Sequence, residues 1–166
     1  MDNIDLRIAY LLGLNGRISN REIARRLGIA EGTVRMRLAN LTDEVSLRIG
    51  AQFDIESLPE AYIALVGLKI DGRMLTDCAE KVSQLPSVLT TMIVSGRYDL
   101  FAVVLAYSRQ TLVEFVTEQL SKIPGVKDSE TYVVLKNINH WIPADRVSQL
   151  ISDISIPETQ QGESQP

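Results

Sequence analysis

The spacing of the apolar residues changes once along the chain, and that change limits what it can fold into. Through Leu41 they recur every three or four residues, the repeat of amphipathic helices. From Ala61 they fill short runs with the two-residue period of strands, broken by two helical stripes. A chain with both periods in separate blocks is predicted to be α+β, with a helical unit followed by a sheet unit.

In the first block, Ile4, Ile8, Leu11 and Leu12 predict a helix from about Asp2 to Leu14, ended by Asn15-Gly16. Ser19 and Glu22 have capping-box spacing, with Ile18 and Ile23 at hydrophobic-staple positions. The second helix they start buries Ile23, Ala24 and Leu27 and stops at Gly28. A third, from near Glu31, buries Val34, Leu38 and Leu41. Three short helices with a Gly-containing turn between the last two form a helix-turn-helix. On a helical wheel Gly32, Met36, Ala39 and Asn40 lie opposite the Val34/Leu38 stripe, flanked by Thr33 and Arg35. Small and polar residues on that face suit a major groove. Arg21 and Arg25 lie opposite Ile23 and Leu27, free to reach phosphates. Val45–Phe53 reads as a short extended pair or wing carrying Arg48.

Charge follows the same division. The whole chain of 166 residues carries −4, yet residues 1–50 are net +2 and residues 17–37 alone are net +4. Every basic residue of the first 50 is Arg, whose planar donor fork fits phosphates and guanine edges.

In the second block Tyr62–Asp71, Val88–Ser95, Tyr98–Tyr107 and Glu130–Lys136 read as strands. One helical stripe (Leu75, Cys78, Ala79, Val82, Leu85) lies between the first two, and another (Leu112, Phe115, Val116, Leu120, Ile123) precedes the fourth. The order β-α-β-β-α-β is the ferredoxin-like split unit, an αβ-sandwich. Both faces of the third strand are apolar, and two helices cover only one face of such a sheet. The other face is predicted to pair with a second copy of the chain. Asn137–Trp141 reads as a further edge strand, with a short helix after Pro143. The resulting boundaries are 1–52 for the winged helix-turn-helix, 53–61 for a linker, 62–141 for the sandwich, 142–156 for a C-terminal helix and 157–166 for a disordered tail.

Several function classes fall away on composition. No apolar run reaches the ~18 residues of a membrane span, so no membrane association is expected. A lone Cys78, on an apolar stripe, reads as a core thiol and fits a reducing cytoplasm. One cysteine and one histidine, His140, exclude a Cys/His zinc site, and no metal or cofactor is expected. The His140/Trp141 neighbours read as a surface pair. Asp77/Glu80 and Glu114/Glu118 read as solvated helix faces, and no catalytic set emerges.

The segments GRISNREIARRLGIAEGTVRMRLANL, VSGRYDLF (Val94–Phe101) and IPGVKDSETYVVL (Ile123–Leu135) resemble, in order and spacing, the Lrp/AsnC transcription regulators. The resemblance covers about Asp2 to Lys136. It implies a winged helix-turn-helix that reads double-stranded DNA, joined to an effector-binding domain that pairs as a homodimer and assembles to tetramers or octamers. The implied DNA-binding residues are Arg17, Asn20, Arg21, Arg25, Gly32, Thr33, Arg35, Met36, Arg37 and Asn40. Arg17, Arg21 and Arg25 would sit on phosphates, and Arg37 would contact backbone more than bases. The implied site for a small-molecule effector, an amino acid or similar, is Ser95, Gly96, Arg97, Tyr98 and Asp99 with Thr131, Tyr132, Val133 and Val134. There Asp99 is suited to an α-ammonium group, although a hairpin-capping carboxylate is the plainer reading. Two departures from the family pattern stand out. Ala30 replaces the usual Ser ahead of the third helix, and Asp43-Glu44 stand at the wing, where acids repel phosphate. Two alternatives remain open. RIGAQFD (Arg48–Asp54) is similar to a segment of siroheme decarboxylases, whose expected histidines are missing from Ser95–Phe101. A non-DNA-binding effector or oligomerisation module is the other.

Overall fold

The computed structural model describes residues 1–44 and 46–150, in two compact units that divide between Ala51 and Gln52. In the first unit, helices α1 (Asn3–Leu14), α2 (Asn20–Leu27) and α3 (Glu31–Asp43) enclose Ile8, Ile23, Ala24 and Val34. Ile4, Leu11, Leu12, Ile18, Leu27 and Leu38 pack round them, as the helical period predicts. The capping differs from the expected pattern. Ser19 Oγ accepts from the Glu22 backbone N–H at 3.2 Å, but the Glu22 carboxylate turns away to Arg25 and Arg26, so only half of that box forms. The complete box is on α1: Asp2 accepts from the Asp5 backbone and Asp5 accepts from that of Asp2. Gly28 ends α2 at φ +67°, a conformation open to Gly at no Cβ penalty. Ala30 gives α3 no side-chain cap.

The second unit is a four-stranded antiparallel sheet in the order β3-β4-β2-β5. Its strands are β2 (Tyr62–Ile70), β3 (Val88–Ile93), β4 (Leu100–Ala106) and β5 (Val126–Val133). Helix α4 (Leu75–Ser83) follows β2. Helix α5 (Arg109–Glu114) follows β4 and continues as a π turn (Phe115–Gln119) and a 3-10 turn (Leu120–Lys122). Both lie on one face, where Ala64, Val66, Leu68, Leu100, Ala102 and Val104 meet Cys78, Val82, Phe115 and Leu120. The Cys78 thiol lies 3.0 Å from the Pro124 carbonyl as its donor, and burial raises its pKa, as befits a core thiol.

The stretch expected to form a wing and linker does neither. Gln52–Asp54 forms β1, paired antiparallel with β6 (Trp141–Pro143), and the following turn buries Ile55 against Ile142. Among the described residues of 46–51 there is no strand. The cause is a long-range pairing: the Ile55 backbone N–H donates to the His140 carbonyl, a partner invisible to local pattern. The predicted edge strand accordingly lies at Trp141–Pro143, and the helix after it is a 3-10 turn, Ala144–Leu150. The continuation of that helix to residue 156 and the tail 157–166 lie outside the described residues.

The β1–β6 ribbon covers one end of the second sheet face, burying Ile63 and Leu105 with Val147. The rest of that face stays open, with Leu65 at 37% and Met92 at 43% exposure. On the covered face Phe115, fully enclosed, is among the largest buried side chains. Truncation in Phe115→Ala is expected to lower unfolding free energy by about 3–5 kcal/mol, measured by denaturant titration.

Candidate functional site

Two surfaces gather the residues singled out by sequence. On α3, Gly32, Met36, Ala39 and Asn40 are exposed opposite buried Val34 and Leu41, with Thr33 half-buried and Arg35 exposed. Asn20 is half-buried at the first position of α2. Arg17 and Arg21 are exposed and make no ion pair among the described residues.

Arg25, Arg26, Arg35 and Arg37 are engaged, which corrects two expectations. Arg25 is not free: its Nε and Nη2 donate to the two Glu22 carboxylate oxygens at 2.8 and 2.6 Å. Arg26 reaches the same carboxylate at 2.7 Å. These bonds, from Arg25 first and Arg26 next, lower the Glu22 pKa to about 2. Arg35 meets Glu31 one turn earlier, at 3.1 Å. Arg37 points away from the exposed face of α3 and donates to Asp2 and Asp5 on α1 at 2.7 and 2.8 Å. Its Nη1 is committed to two carboxylates of its own unit, so a phosphate would have to compete with both for it.

The second surface is on the open side of the sheet. Position 67 of β2 pairs with Phe101 on one edge and Glu130 on the other, so β2 holds the Ser95–Asp99 loop and β5 together. Tyr98, only 8% exposed, lies across this position, and a Cβ on Gly67 would stand 2.8 Å from its ring. Its ring meets Phe101 edge-on at 5.4 Å, and its hydroxyl is 3.5 Å from that of Tyr132. Arg97 covers the Tyr98 ring at 5.4 Å and pairs with Glu130 at 3.4 Å. The nearby Glu130 carboxylate raises the Tyr132 pKa, because it disfavours a second negative charge beside it.

Asp99 is occupied by the hairpin. Its carboxylate accepts from the Ile70 backbone N–H at 2.9 Å and faces Lys69 at 3.8 Å, while its own N–H donates to Leu68. Ser95 and Gly96 form the exposed tip of the loop, with open space around the Gly96 α-carbon. Thr131 to Val134 cannot all face one ligand, since side chains alternate along a strand. Tyr132 shares the open face with Tyr98. Val133 lies instead beside Tyr62, Arg109 and Leu112, round a surface cavity of about 390 Å³. Gly67 and Glu130 went unread in the sequence. An isolated Gly inside the strand run was the available signal for a close approach, whereas nothing local distinguishes Glu130.

Comparisons with known proteins match both units. A family model for the AsnC-type helix-turn-helix domain matches residues 1–42, and one for the Lrp/AsnC ligand binding domain matches residues 63–140. The chain belongs to the Lrp/AsnC family. An HTH-type transcriptional regulator of Pyrococcus furiosus, itself uncharacterized, is 34% identical over 143 residues, 85% of this chain and 95% of its own. A transcriptional regulator of Neisseria meningitidis, solved as a complex with L-Met, superposes with a TM-score of 0.66 at 26% identity, over 84% of this chain and 93% of its own. AsnC of E. coli shares the fold at a TM-score of 0.63 and 23% identity, over 82% and 93%. This Lrp/AsnC chain is therefore a transcriptional regulator that joins a helix-turn-helix to a ligand-binding domain. Among the described residues no cluster of His, Cys, Asp or Glu is arranged to hold a metal ion, and no helix is long and apolar enough to cross a membrane.

Two measurements check this geometry. Gly67→Ala is expected to displace the Tyr98 ring, lowering Tm and opening Tyr98 to nitration, mapped by mass spectrometry. Acid should weaken α2 in a defined window. The Glu22 pKa is depressed on folding, so its contribution is complete above the usual 4.5 and is lost as pH falls toward about 2. Glu22→Gln is expected to flatten the acid limb of the stability curve over that range.

Proposed function

We propose that this regulator binds specific double-stranded DNA as a homodimer, with α3 in the major groove, and that an amino acid or similar effector shifts its DNA binding or assembly. The observation that carries the DNA half is the exposed face of α3, where Gly32 and polar Asn40 stand opposite the core with the flexible Met36 between them. Arg17 and Arg21, exposed and without an ion pair among the described residues, supply cations for phosphates, and Thr33 and Arg35 flank the reading face. Arg25 reaches DNA only by leaving Glu22, so its contribution is smaller than its exposure suggests.

The effector half is supported by the loop Ser95–Asp99, held against Tyr132 across Gly67, and by the L-Met complex of the Neisseria meningitidis relative. Arg97 offers a cation to a carboxylate, and the Asp99 oxygen facing Lys69 is the one left for an ammonium group. Dimerisation, with assembly to tetramers or octamers, is supported by the apolar residues left exposed on the sheet, Leu65 and Met92, beside half-buried Phe101 and Val103. Transcription regulation places such a protein in the cytoplasm with the DNA.

The test is a gel-shift titration on fragments selected from random DNA by the full chain, at two salt concentrations, with amino-acid pools added. Specific binding should survive unrelated competitor DNA and weaken steeply with salt. Arg21→Ala and Arg17→Ala should each lower the salt slope by about one, while Arg35→Ala lowers specific affinity by about tenfold or more. Selection of no sequence overturns the DNA reading; insensitivity of the bands and of the assembly state to every pool overturns the effector reading.

A further inference from the structure

Arg37 projects from the middle of α3, yet it is only 25% exposed and is bound to another helix. One of its terminal nitrogens, Nη1, donates to Asp2 Oδ2 at 2.7 Å and to Asp5 Oδ1 at 2.8 Å. The other oxygen of each aspartate is already used in the α1 capping box. Asp2 Oδ1 accepts from the backbone N–H groups of Ile4 and Asp5, and Asp5 Oδ2 accepts from that of Asp2. All four carboxylate oxygens therefore have donors, and the first turn of α1 is a rigid two-carboxylate receptor for one guanidinium. Asp5, with its side chain 13% exposed, is the better shielded of the two.

Helix α3 has few other devices to fix its rotation. Its N-cap, Ala30, makes no side-chain bond, Gly32 contributes no packing side chain in the first turn, and only Val34 and Leu41 are fully buried on it. Apolar contacts are non-directional and tolerate a small roll or slide of the helix. A charge-assisted pair of hydrogen bonds does not. A shift of one residue along the helix, about 100° and 1.5 Å, would break both bonds and carry Met36 and Asn40 off the exposed face.

We propose that Arg37 is a positioning residue for DNA recognition: its clamp on the Asp2/Asp5 capping box sets the roll of α3, making the first turn of α1 part of the reading apparatus without contact to DNA. This rests on the reading that α3 enters the groove. It reverses the simple electrostatic expectation. Removing acids from a DNA-binding unit should tighten binding, whereas loosening this clamp should weaken specific binding.

The experiment compares full-length wild type with Arg37→Met, with the pair Asp2→Asn and Asp5→Asn, and with all three together. The probes are a fragment selected by the wild type and a scrambled control. Asn remains a good N-cap, so α1 keeps its start, and thermal melts confirm that each variant is folded at the assay temperature. Arg37→Met is expected to lose about tenfold in specific affinity, the scale of one good base contact, with its salt slope unchanged. The Asp pair is expected to lose specific affinity as well, and in that background Arg37→Met should cost nothing further. Arg37→Lys should restore part of the loss. A salt slope reduced by about one, with the loss persisting in the Asp-pair background, would overturn the proposal in favour of a direct phosphate contact. Unchanged or tighter specific binding by the Asp pair would also overturn it. Hydrogen exchange of the α3 amides is read in parallel without DNA, and is expected to rise in Arg37→Met. If the wild type selects no fragment, the DNA reading fails by itself, and unchanged α3 protection then overturns the clamp independently.

Discussion

Strand β2 is hydrogen-bonded along both edges, to β4 over Tyr62–Leu68 and to β5 over Ala64–Ile70, so its side chains alternate between two environments. Ala64, Val66 and Leu68 enter the core under α4 and α5. Ile63, Leu65 and position 67 face the other way. The second unit depends on this double pairing. Because β2 is central, the residues that carry the effector reading arrive from its two neighbours and meet only across it. The absence of a side chain at Gly67 lets them meet, since Tyr98 fills the space a Cβ would take.

In the first unit the limiting resource is unpaired positive charge. Six arginines lie between residues 17 and 37, but the fold engages four of them. Glu22 gathers Arg25 and Arg26, Glu31 takes Arg35, and Asp2 with Asp5 takes Arg37. The exposed helical pairs contribute little to stability in water. Their consequence is electrostatic: a cation that must leave a carboxylate to reach a phosphate gains less from the exchange. The sequence total of charge therefore overstates what this surface offers to DNA, and the pairing pattern distinguishes the groups that steer from those that build.

Much of the fold was legible because periodicity reports burial. The apolar stripes marked all three helices of the first unit, three strands of the sheet and the two helices that cover it, and Gly28 marked the end of α2. The fourth strand, expected at Glu130–Lys136, lies at Val126–Val133 because its first half, Val126–Glu130, is mostly polar. The ribbon of β1 and β6 was not legible, since three-residue strands carry almost no pattern and their partners are far apart in the chain. Ile55 looked like linker for the same reason. At the candidate site the exposed face of α3 was legible in the sequence, whereas the approach of Tyr98 to Tyr132 appears only in the structure. The fate of individual charges was not. Ser19 and Glu22 had the spacing of a capping box, but two nearby arginines outbid a backbone N–H for the carboxylate. The pair that does form a box, Asp2 and Asp5, has the same spacing and was passed over.

The amino-acid sequence by itself determined the two-unit α+β plan, the helix-turn-helix and the β-α-β-β-α-β succession of the second unit, because these follow from local propensity and from one-dimensional repeats of 3.6 and 2 residues. Tertiary structure decided which arginines are paired among the described residues, which face of β5 each residue occupies, and that Arg37 pairs with Asp2 and Asp5 of α1. Those outcomes depend on distances of about 3 Å between groups distant in the chain, and a hydrogen bond falls off too steeply with distance and angle to be read from sequence spacing alone.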